Sequence, residues 1–441
     1  MRLAQRSDTL IHGAGEAHCM LLTRKPTATR ILSLLLLALP LAAASLQVTK
    51  PEEVGLSADR LKRINELIDR RIAAGDISGA VTLVARRGRV VHFEAQGLAD
   101  IDAKKPMSKD AVFRLASMSK PVTGVAIMML VEEGKIRLTD PVSRYIPEFK
   151  GLKVAVPQPA RGAAPAAGAQ ATPQFYTVPA DREITIRDLL SHVSGLVSGT
   201  ISTAEAAKVA RKGDETLADY IPRLGLVPLE FQPGSRWSYS PGAGFDTLGR
   251  VVEVVSGQSF DQFLRQRIFN PLEMKDIGFN ATAAMAPRRA TIYQKRDGRL
   301  QPPANATANP QPTAYFSGAG GLMSSTEDYL PLGQMLVNGG QLNGKRLLSP
   351  RTVEMMGASH APDSLPGRTP GQSFGLSVRV VSDHVKAVSP LSDGSFGWSG
   401  AQGTHFWVDP KEKIVAILMV QTSIPELQRD FEQAVMQAII E

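Results

Sequence analysis

Strand-forming segments lie near both ends of this 441-residue chain, and a long, mostly helical section separates them. Near the amino end, the segment GAVTLVARRGRVVHFEAQG predicts a β-hairpin with its turn at Arg87-Gly88. Near the carboxyl end, strands are predicted in FGLSVRVV, GTHFWVDP and KIVAILMVQ. The last alternates little between apolar and polar residues, which is typical of a central strand. This order predicts an α/β (α+β) fold in which one sheet is assembled from both ends of the chain around an inserted helical lobe.

Helical periodicity marks the first and last predicted elements and fills the middle of the chain. Ser57 is predicted to cap a first helix that ends near Gly75, and residues 426–440 predict a final helix. Apolar residues recur at helical spacing in the first of these, at Leu61, Ile64, Leu67, Ile68 and Ile72. Further helices are predicted at residues 185–192, 214–224, 245–256 and 260–268.

This order of elements also predicts domain boundaries. Residues 45–137 together with 314–441 are expected to form an α/β sandwich domain, and residues 138–313 a mainly helical domain. The Ala/Pro-rich segment 154–174 has the composition of a flexible insertion, and residues 301–313 form a second such loop.

The first 44 residues are interpreted as an export signal with its presequence. Arg24, Lys25 and Arg30 precede the apolar run ILSLLLLALPLAAA, whose last three alanines suit signal peptidase. The run is short for a membrane span, and an uncleaved anchor is the alternative. We therefore expect a periplasmic or secreted protein with no stable membrane span after signal removal. The single cysteine, Cys19, lies in this segment, so the mature chain has no disulfide.

The stretch FRLASMSKPVTGVAIMML places Ser117 and Lys120 one turn apart at the head of an apolar helix. Pro121 is tolerated there because the first helical turn has free N–H groups. A buried lysine is either paired or partly neutral, and a neutral amine beside a hydroxyl is a general base beside a nucleophile. The alternative is a capping serine with a lysine that extends to solvent.

Two later segments offer the remaining groups that such chemistry needs. Tyr239 follows a Pro-Gly turn and precedes an apolar helix, so it is a candidate proton donor, or else a tyrosine packed under a turn. A lysine cation nearby is expected to lower its pKa, so that the two groups titrate as a coupled pair. In GSFGWSGAQGTHFWVDP, the small residues Ser399, Gly400 and Ala401 let substrate approach closely. The N–H groups of Ser117 and Ala401 are the predicted oxyanion donors.

Together these motifs resemble those of the β-lactamase-like serine hydrolases, close to class C β-lactamases and related to penicillin-binding proteins. The resemblance rests on Ser-Met-Ser-Lys, Tyr-Ser after a Pro-Gly turn, and Trp-Ser-Gly before a strand that ends in Val-Asp-Pro. It implies an antiparallel sheet flanked by helices, a helical lobe, and a site between the two. It also implies an acyl-enzyme that forms on Ser117 without a cofactor, with Lys120 and Tyr239 as the other catalytic residues.

Two departures from the family pattern concern the substrate. Trp398 stands where the β-lactamases carry a basic residue, and Pro241 stands where the second motif usually ends in asparagine. Tryptophan there is similar to the carboxylesterases of the superfamily, so Trp398, Ser399 and Gly400 are predicted to bind short acyl esters. A β-lactamase or D-amino-acid peptidase is the alternative within the class, and a non-catalytic binding protein is the alternative outside it.

Other polar residues have simpler interpretations. Ser392-Asp393-Gly394 is predicted to be a turn. The hydroxyl of Ser119 is expected to point away from Lys120, and His192 and His405 are expected to be ordinary hydrogen-bonded histidines, with no metal site. The segment SGAGG, residues 317–321, is expected to line the cleft or lead into a helix capped near Ser324. The net charge of +8 falls to +5 without the presequence (45 basic against 40 acidic residues), and this excess is scattered, so the expected partner is a small ester, lactam or peptide rather than nucleic acid.

Overall fold

The computed structural model describes residues 47–159, 173–303 and 312–441. The predicted export signal lies outside the described residues. Those residues all belong to one compact unit of the chain. The division into a sandwich domain and a helical domain stays a prediction.

The described chain contains strands, α-helices and shorter helical turns, with a run of helices over residues 186–264 in its middle. The strands are β1 (Gly79–Arg86), β2 (Arg89–Asp100), β3 (Lys105–Pro106), β4 (Val112–Arg114), β5 (Lys153–Pro157), β6 (Phe175–Pro179), β7 (Ile277–Gly278), β8 (Gln294–Arg296), β9 (Arg299–Gln301), β10 (Met323–Ser325), β11 (Gln341–Leu342), β12 (Lys345–Arg346), β13 (Gln372–Phe374), β14 (Arg379–Val381), β15 (Phe396–Ser399), β16 (His405–Asp409) and β17 (Ile414–Met419). The helices are α1 (Ala58–Ala73), α2 (Ser119–Glu132), α3 (Ile186–Leu190), α4 (Thr200–Lys208), α5 (Leu217–Tyr220), α6 (Ala243–Ser256), α7 (Phe260–Leu264), α8 (Thr326–Val337), α9 (Pro350–Met356), α10 (His384–Ala387) and α11 (Pro425–Met436).

An eight-stranded antiparallel sheet joins the two ends of the chain. Its strand order is β13-β14-β15-β16-β17-β1-β2-β3, so the first strand lies beside the last, with Val81 opposite Met419. Every residue of β1 and β17 is buried, and apart from Thr82 and Arg86 in β1 their side chains are apolar or absent, as expected for central strands. The predicted fold class is therefore confirmed, and the segment KIVAILMVQ is central in the sheet.

Helices cover both faces of this sheet. On one face, α1 and α11 pack their apolar stripes against the sheet, with Ile64 and Phe431 among the buried residues. Ser57 caps α1 by accepting a hydrogen bond from the N–H of Arg60. On the other face, α2 is buried from Ser119 to Leu130 because its residues are apolar on most sides, and Gly134 follows its end in the left-handed conformation. This second face carries the candidate site.

One segment that was predicted to be a single strand is divided between two strands. The segment FGLSVRVV forms the end of β13 and all of β14, with a tight turn between them in which Gly375 N–H donates to Val378 C=O at 2.8 Å. Ser377 in this turn has a φ of +74°. The turn packs directly on α2, since a Cβ on Gly124 would lie 1.9 Å from Ser377 Oγ. A contact between distant segments therefore divides a stretch that is locally strand-like.

The predicted flexible insertion is wrong at its amino end. Residues 154–157 belong to β5, which pairs with β6 in an antiparallel hairpin, and Ala155 N–H also donates to Leu229 C=O at 2.9 Å. Residues 160–172, the middle of that insertion, lie outside the described residues. The second predicted loop begins with Gln301, the last residue of β9, and its residues 304–311 also lie outside the described part.

Several predicted helices are shorter than expected, including α3 (Ile186–Leu190) within the predicted residues 185–192, and other helices were not predicted. Residues 214–224 contain only α5, followed by a 3₁₀ helix over Ile221–Leu226, because Pro222 has no N–H for an α-helical bond. After α7, a π-helical turn covers Arg265–Phe269 instead of further α-helix. The helix expected to be capped near Ser324 is α8, capped by Ser325, whereas α9 was not predicted. The final helix ends at Met436, not at residue 440.

Within the described chain, every helix is too short or too polar to cross a bilayer.

Candidate active site

The candidate nucleophile lies in a strained turn at the head of α2. Ser117 belongs to a 3₁₀ turn, Ala116–Met118, that leads directly into the helix. Ala116 has a φ of +46°, a conformation that costs an alanine about 1–2 kcal/mol. Such strain persists only where the surrounding structure fixes it, and it is found most often at functional sites. The turn holds Ser117 half-buried, with its hydroxyl directed at two other polar groups.

Lys120 is one of these groups, and it is fully buried. Its Nζ lies 3.2 Å from Ser117 Oγ, 2.8 Å from Pro241 O and 2.9 Å from Ala319 O. Burial lowers the pKa of Lys120 to about 7, although the carboxylate of Asp246 opposes the shift. A neutral amine has two N–H donors and one lone pair. With the two donors bound to carbonyl oxygens, the lone pair is left for the Ser117 hydroxyl.

Tyr239 is the second group. Its hydroxyl lies 2.7 Å from Ser117 Oγ, and Lys120 Nζ lies 5.0 Å from its ring centroid. Burial raises the pKa of Tyr239 above its ordinary value. The expected lowering of the Tyr239 pKa by Lys120 is therefore wrong, because desolvation outweighs the opposing hydrogen bonds to Ser117 and Trp398. Tyr239 is therefore neutral, and its hydroxyl proton is present for the hydrogen bond to Ser117 Oγ.

His192 packs against the loop that carries Tyr239. Its Nδ1 accepts a hydrogen bond from Ser240 N–H at 3.2 Å, and its ring centroid lies 4.7 Å from that of Tyr239. Complete burial lowers the pKa of His192 well below its ordinary value, so the imidazole is neutral. It is a hydrogen-bonded structural histidine, as expected from the sequence.

Asp246, which none of the sequence motifs indicated, organises the backbone on the side of Lys120 away from Ser117. This buried carboxylate accepts hydrogen bonds from Tyr315 Oη and Ser317 Oγ, each at 2.7 Å, and from Ala319 N at 3.0 Å. Burial raises its pKa, and these three donors oppose the shift. Ala319 then presents its carbonyl oxygen to Lys120. The SGAGG segment thus lines the site, and an aspartate in the first turn of an apolar helix was the available signal.

The third motif closes the site on its other side. Trp398 in β15 packs on Tyr239 with ring centroids 5.5 Å apart. A Cβ on Gly400 would lie 2.3 Å from Leu115 O and 2.1 Å from Thr404 Oγ1, so only glycine fits there. This close approach brings the next residue, Ala401, beside the turn that carries Ser117. A cavity of about 910 Å³ borders Ala401 and is lined by none of the groups around Ser117 Oγ.

Ser399 is held on the opposite face of β15 from Trp398. Its Oγ lies 2.8 Å from His405 Nδ1, and His405 Nε2 lies 3.0 Å from Glu432 Oε1 on α11. Burial lowers the pKa of His405 despite the neighbouring Glu432. Burial alone would raise the pKa of Glu432, but His405 and Arg379 hold it at about 2. A neutral His405 therefore donates to Glu432 and accepts from Ser399, so the serine hydroxyl is bound here rather than directed at Tyr239.

The remaining residues singled out in the sequence have structural contacts. Ser119 Oγ accepts a hydrogen bond from Leu322 N at 3.1 Å, away from Lys120. Ser392 begins a turn, since its C=O accepts from Ser395 N–H at 3.0 Å and Gly394 has a φ of +87°. The described part of the chain contains no group of three or more His, Cys, Asp or Glu side chains that could hold a metal ion.

The chain is similar to known proteins over most of its length. The family model described as Beta-lactamase matches residues 64–438. Protein Rv1367c of Mycobacterium tuberculosis is 36% identical over 378 residues, which cover 82% of this chain and 90% of the relative. Esterase EstB of Burkholderia gladioli is 32% identical over 410 residues, covering 87% of this chain and 95% of the relative. The solved structure of EstCE1, described as a hydrolase with promiscuous acyltransferase activity, has 27% identity and a TM-score of 0.70, covering 87% of this chain and 99% of that one.

The fold and these relatives define a serine hydrolase. The chain belongs to the β-lactamase family, and the resemblance drawn from its three motifs is confirmed.

Proposed function

We propose that the protein is an exported carboxylesterase that cleaves short acyl esters through an acyl-enzyme on Ser117. The observation that carries this proposal is the position of Ser117 Oγ, 3.2 Å from Lys120 Nζ and 2.7 Å from Tyr239 Oη. With a pKa of about 7, Lys120 is substantially neutral at physiological pH. A nucleophile, a general base and a neutral proton donor thus meet at one atom.

Acylation begins with the neutral amine of Lys120. The amine takes the Ser117 proton as Oγ attacks the ester carbonyl carbon, and the N–H groups of Ser117 and Ala401 stabilise the oxyanion. The tetrahedral intermediate collapses, the alkoxide leaves, and Tyr239 gives it a proton. The proton held by Lys120 then restores Tyr239. Water attacks the acyl-enzyme with the same groups in the reverse roles, which releases the acid and frees Ser117.

The ester preference rests on Trp398 and Pro241. Pro241 contributes its carbonyl oxygen to Lys120 and has no side-chain amide for a β-lactam. Trp398 presents an apolar ring beside Tyr239, in the place of a basic residue. An apolar wall next to the nucleophile suits an acyl chain better than a carboxylate at that same position. The name of EstB, Esterase, supports the same preference.

A paired assay tests the proposal. The chain from Ser45, as wild type and as Ser117→Ala, is assayed on p-nitrophenyl butyrate and on a chromogenic cephalosporin, with Ser119→Ala as the matched serine control. We expect ester hydrolysis that Ser117→Ala abolishes and Ser119→Ala retains, with an acyl adduct on the Ser117 peptide by mass spectrometry. Dominant cephalosporin hydrolysis would favour the β-lactamase or peptidase alternative. If neither substrate is hydrolysed, the result would favour a peptide substrate or a binding role.

Export is tested separately. Expression of the full chain in a Gram-negative host is followed by fractionation and amino-terminal sequencing. We expect periplasmic protein that begins at Ser45, because Ala42-Ala43-Ala44 provides the cleavage site. Full-length protein retained in the cytoplasm would contradict the export proposal without affecting the esterase proposal.

A further inference from the structure

A loop after α9 holds an arginine on the aromatic wall of the candidate site. Trp237 N–H donates to Pro366 C=O at 2.9 Å, which fixes the loop against the segment before Tyr239. Gly367 has a φ of +89°, and a Cβ there would lie 2.2 Å from Trp237 O. A glycine is therefore required for this close approach. The next residue, Arg368, is consequently held in place over the Trp237 ring.

The guanidinium of Arg368 lies on an aromatic shelf that continues to Tyr239. Its carbon is 4.4 Å from the ring centroid of Trp237 and 5.8 Å from that of Phe374. The Phe374 ring is 5.0 Å from that of Trp398, which in turn packs on Tyr239. The cation is thus separated from the Tyr239 ring by two rings in contact, Phe374 and Trp398.

The charge of Arg368 is poorly compensated within the described part of the chain. Its Nε is buried without a hydrogen-bond partner there, and so is the neighbouring Trp237 Nε1. Burial lowers the pKa of Arg368 to about 10, and Arg379 adds to that effect, whereas Asp363 opposes it. Asp363 itself accepts a hydrogen bond from Gly371 N–H at 3.0 Å. A partly desolvated cation without a close anion carries an energetic cost, and such groups cluster at binding sites.

We propose that Arg368 binds a carboxylate on the substrate, at the end remote from the reacting carbonyl. The planar guanidinium pairs with a carboxylate through two parallel hydrogen bonds, and the aromatic shelf fixes its orientation before substrate arrives. A cation from the loop after α9 thus supplies a charge that the third motif lacks. The inference rests on the proposed esterase function and deepens it: the substrates are esters that carry an anionic group.

Matched substrate pairs test this subsite. The first pair has the charge on the acyl side, 4-nitrophenyl hydrogen glutarate against its neutral carboxamide analogue. The second has it on the alcohol side, 3-acetoxybenzoate against 3-acetoxybenzamide. In at least one pair, wild type is expected to favour the carboxylate by about tenfold or more in kcat/KM. The pair that shows the preference identifies the side of the ester that faces Arg368.

Two substitutions at Arg368 and one control substitution elsewhere then test whether the charge of Arg368 causes the preference for the carboxylate. Arg368→Gln is expected to bring the ratio of carboxylate to carboxamide near one, and Arg368→Lys to keep part of it because a point charge remains. The control is Arg267→Gln. Arg267 also lies over an aromatic ring, 5.5 Å from the Phe263 centroid, but it pairs with Glu133 beyond the far end of α2. A 14-residue helix is about 20 Å long, so the control removes equal charge far from Ser117.

The outcomes separate this proposal from the esterase proposal. Hydrolysis of the neutral esters with no preference for either carboxylate, or a preference that survives Arg368→Gln, overturns the subsite and leaves the esterase proposal standing. If no ester is hydrolysed, the subsite is still tested by tryptophan fluorescence with the 4-nitroanilide of glutaric acid and its carboxamide. Tighter binding of the carboxylate that Arg368→Gln abolishes supports the subsite, and equal binding of the two compounds refutes it.

Discussion

Lys120→Met is predicted to raise the free energy of unfolding above that of the wild type at neutral pH. This advantage of the variant is expected to shrink as the pH is raised toward 10. The ordinary lysine pKa is 10.5, and burial lowers it to about 7 in the folded protein. Each pKa unit corresponds to about 1.4 kcal/mol, so holding this lysine in the fold costs about 4 kcal/mol at pH 7 and about 1 kcal/mol at pH 10. Methionine has a similar length, carries no charge and removes this cost.

The direction in which wild-type stability changes with pH depends on whether the folded or the unfolded protein binds more protons. Between about pH 7 and 10.5 the unfolded lysine is protonated while the folded one is mostly neutral, so wild-type stability rises with pH across this window. Above the unfolded pKa the penalty is absent, and it is fully present below the folded pKa. Methionine also leaves Pro241 O and Ala319 O without their donor, which costs about 1 kcal/mol each at every pH. Only the lysine contribution therefore changes with pH.

Urea unfolding of both proteins at pH 7 and pH 10 measures this difference. We expect the free energy of unfolding of wild type, relative to the variant, to increase by about 3 kcal/mol from the lower to the higher pH. The variant is also expected to lose ester hydrolysis, because no base remains beside Ser117. An equal difference at both pH values would refute the claim that Lys120 titrates near neutrality in the folded protein.

Three further predictions concern the groups around Ser117. The kcat/KM of wild type on a neutral ester is expected to fall about tenfold per pH unit below pH 7, as Lys120 becomes protonated; a profile flat down to pH 5 would contradict this. In Asp246→Asn the acidic limb of that profile is expected to shift to lower pH, because the Asp246 carboxylate raises the pKa of Lys120; an unchanged limb would show that its charge does not reach the lysine. Gly400→Ala is expected to reduce kcat by about a hundredfold, since the new Cβ would displace the backbone that leads to Ala401; near-normal turnover would contradict the oxyanion assignment.

The sheet was predictable because its strands carry their own signals. β1 and β2 form a hairpin around a short turn, and β17 is apolar at every position. Both patterns are local, so they need no knowledge of the tertiary structure. The pairing of Ser117 with Lys120 was likewise indicated by helical spacing at the start of α2.

Features that depend on contacts between distant segments were not predictable. The turn that separates β13 from β14 exists because it packs on Gly124 of α2, a residue some 250 positions away in the chain. Asp246 acts through Ala319, and Arg368 gains its position from Trp237. Spacing within one segment carries no information on such partners. The raised pKa of Tyr239 was missed for the same reason, since burial is a property of the assembled site.

The pairing of Val81 with Met419 has a consequence for biosynthesis. The centre of the sheet cannot assemble until β17 has been synthesised, and β17 leaves the ribosome after almost all of the chain has been made. At about 5–20 residues per second, β1 remains without this neighbour for tens of seconds, and its apolar side chains stay exposed. We therefore expect chaperones to bind the early chain during synthesis, and a truncation that removes β17 is expected to prevent folding.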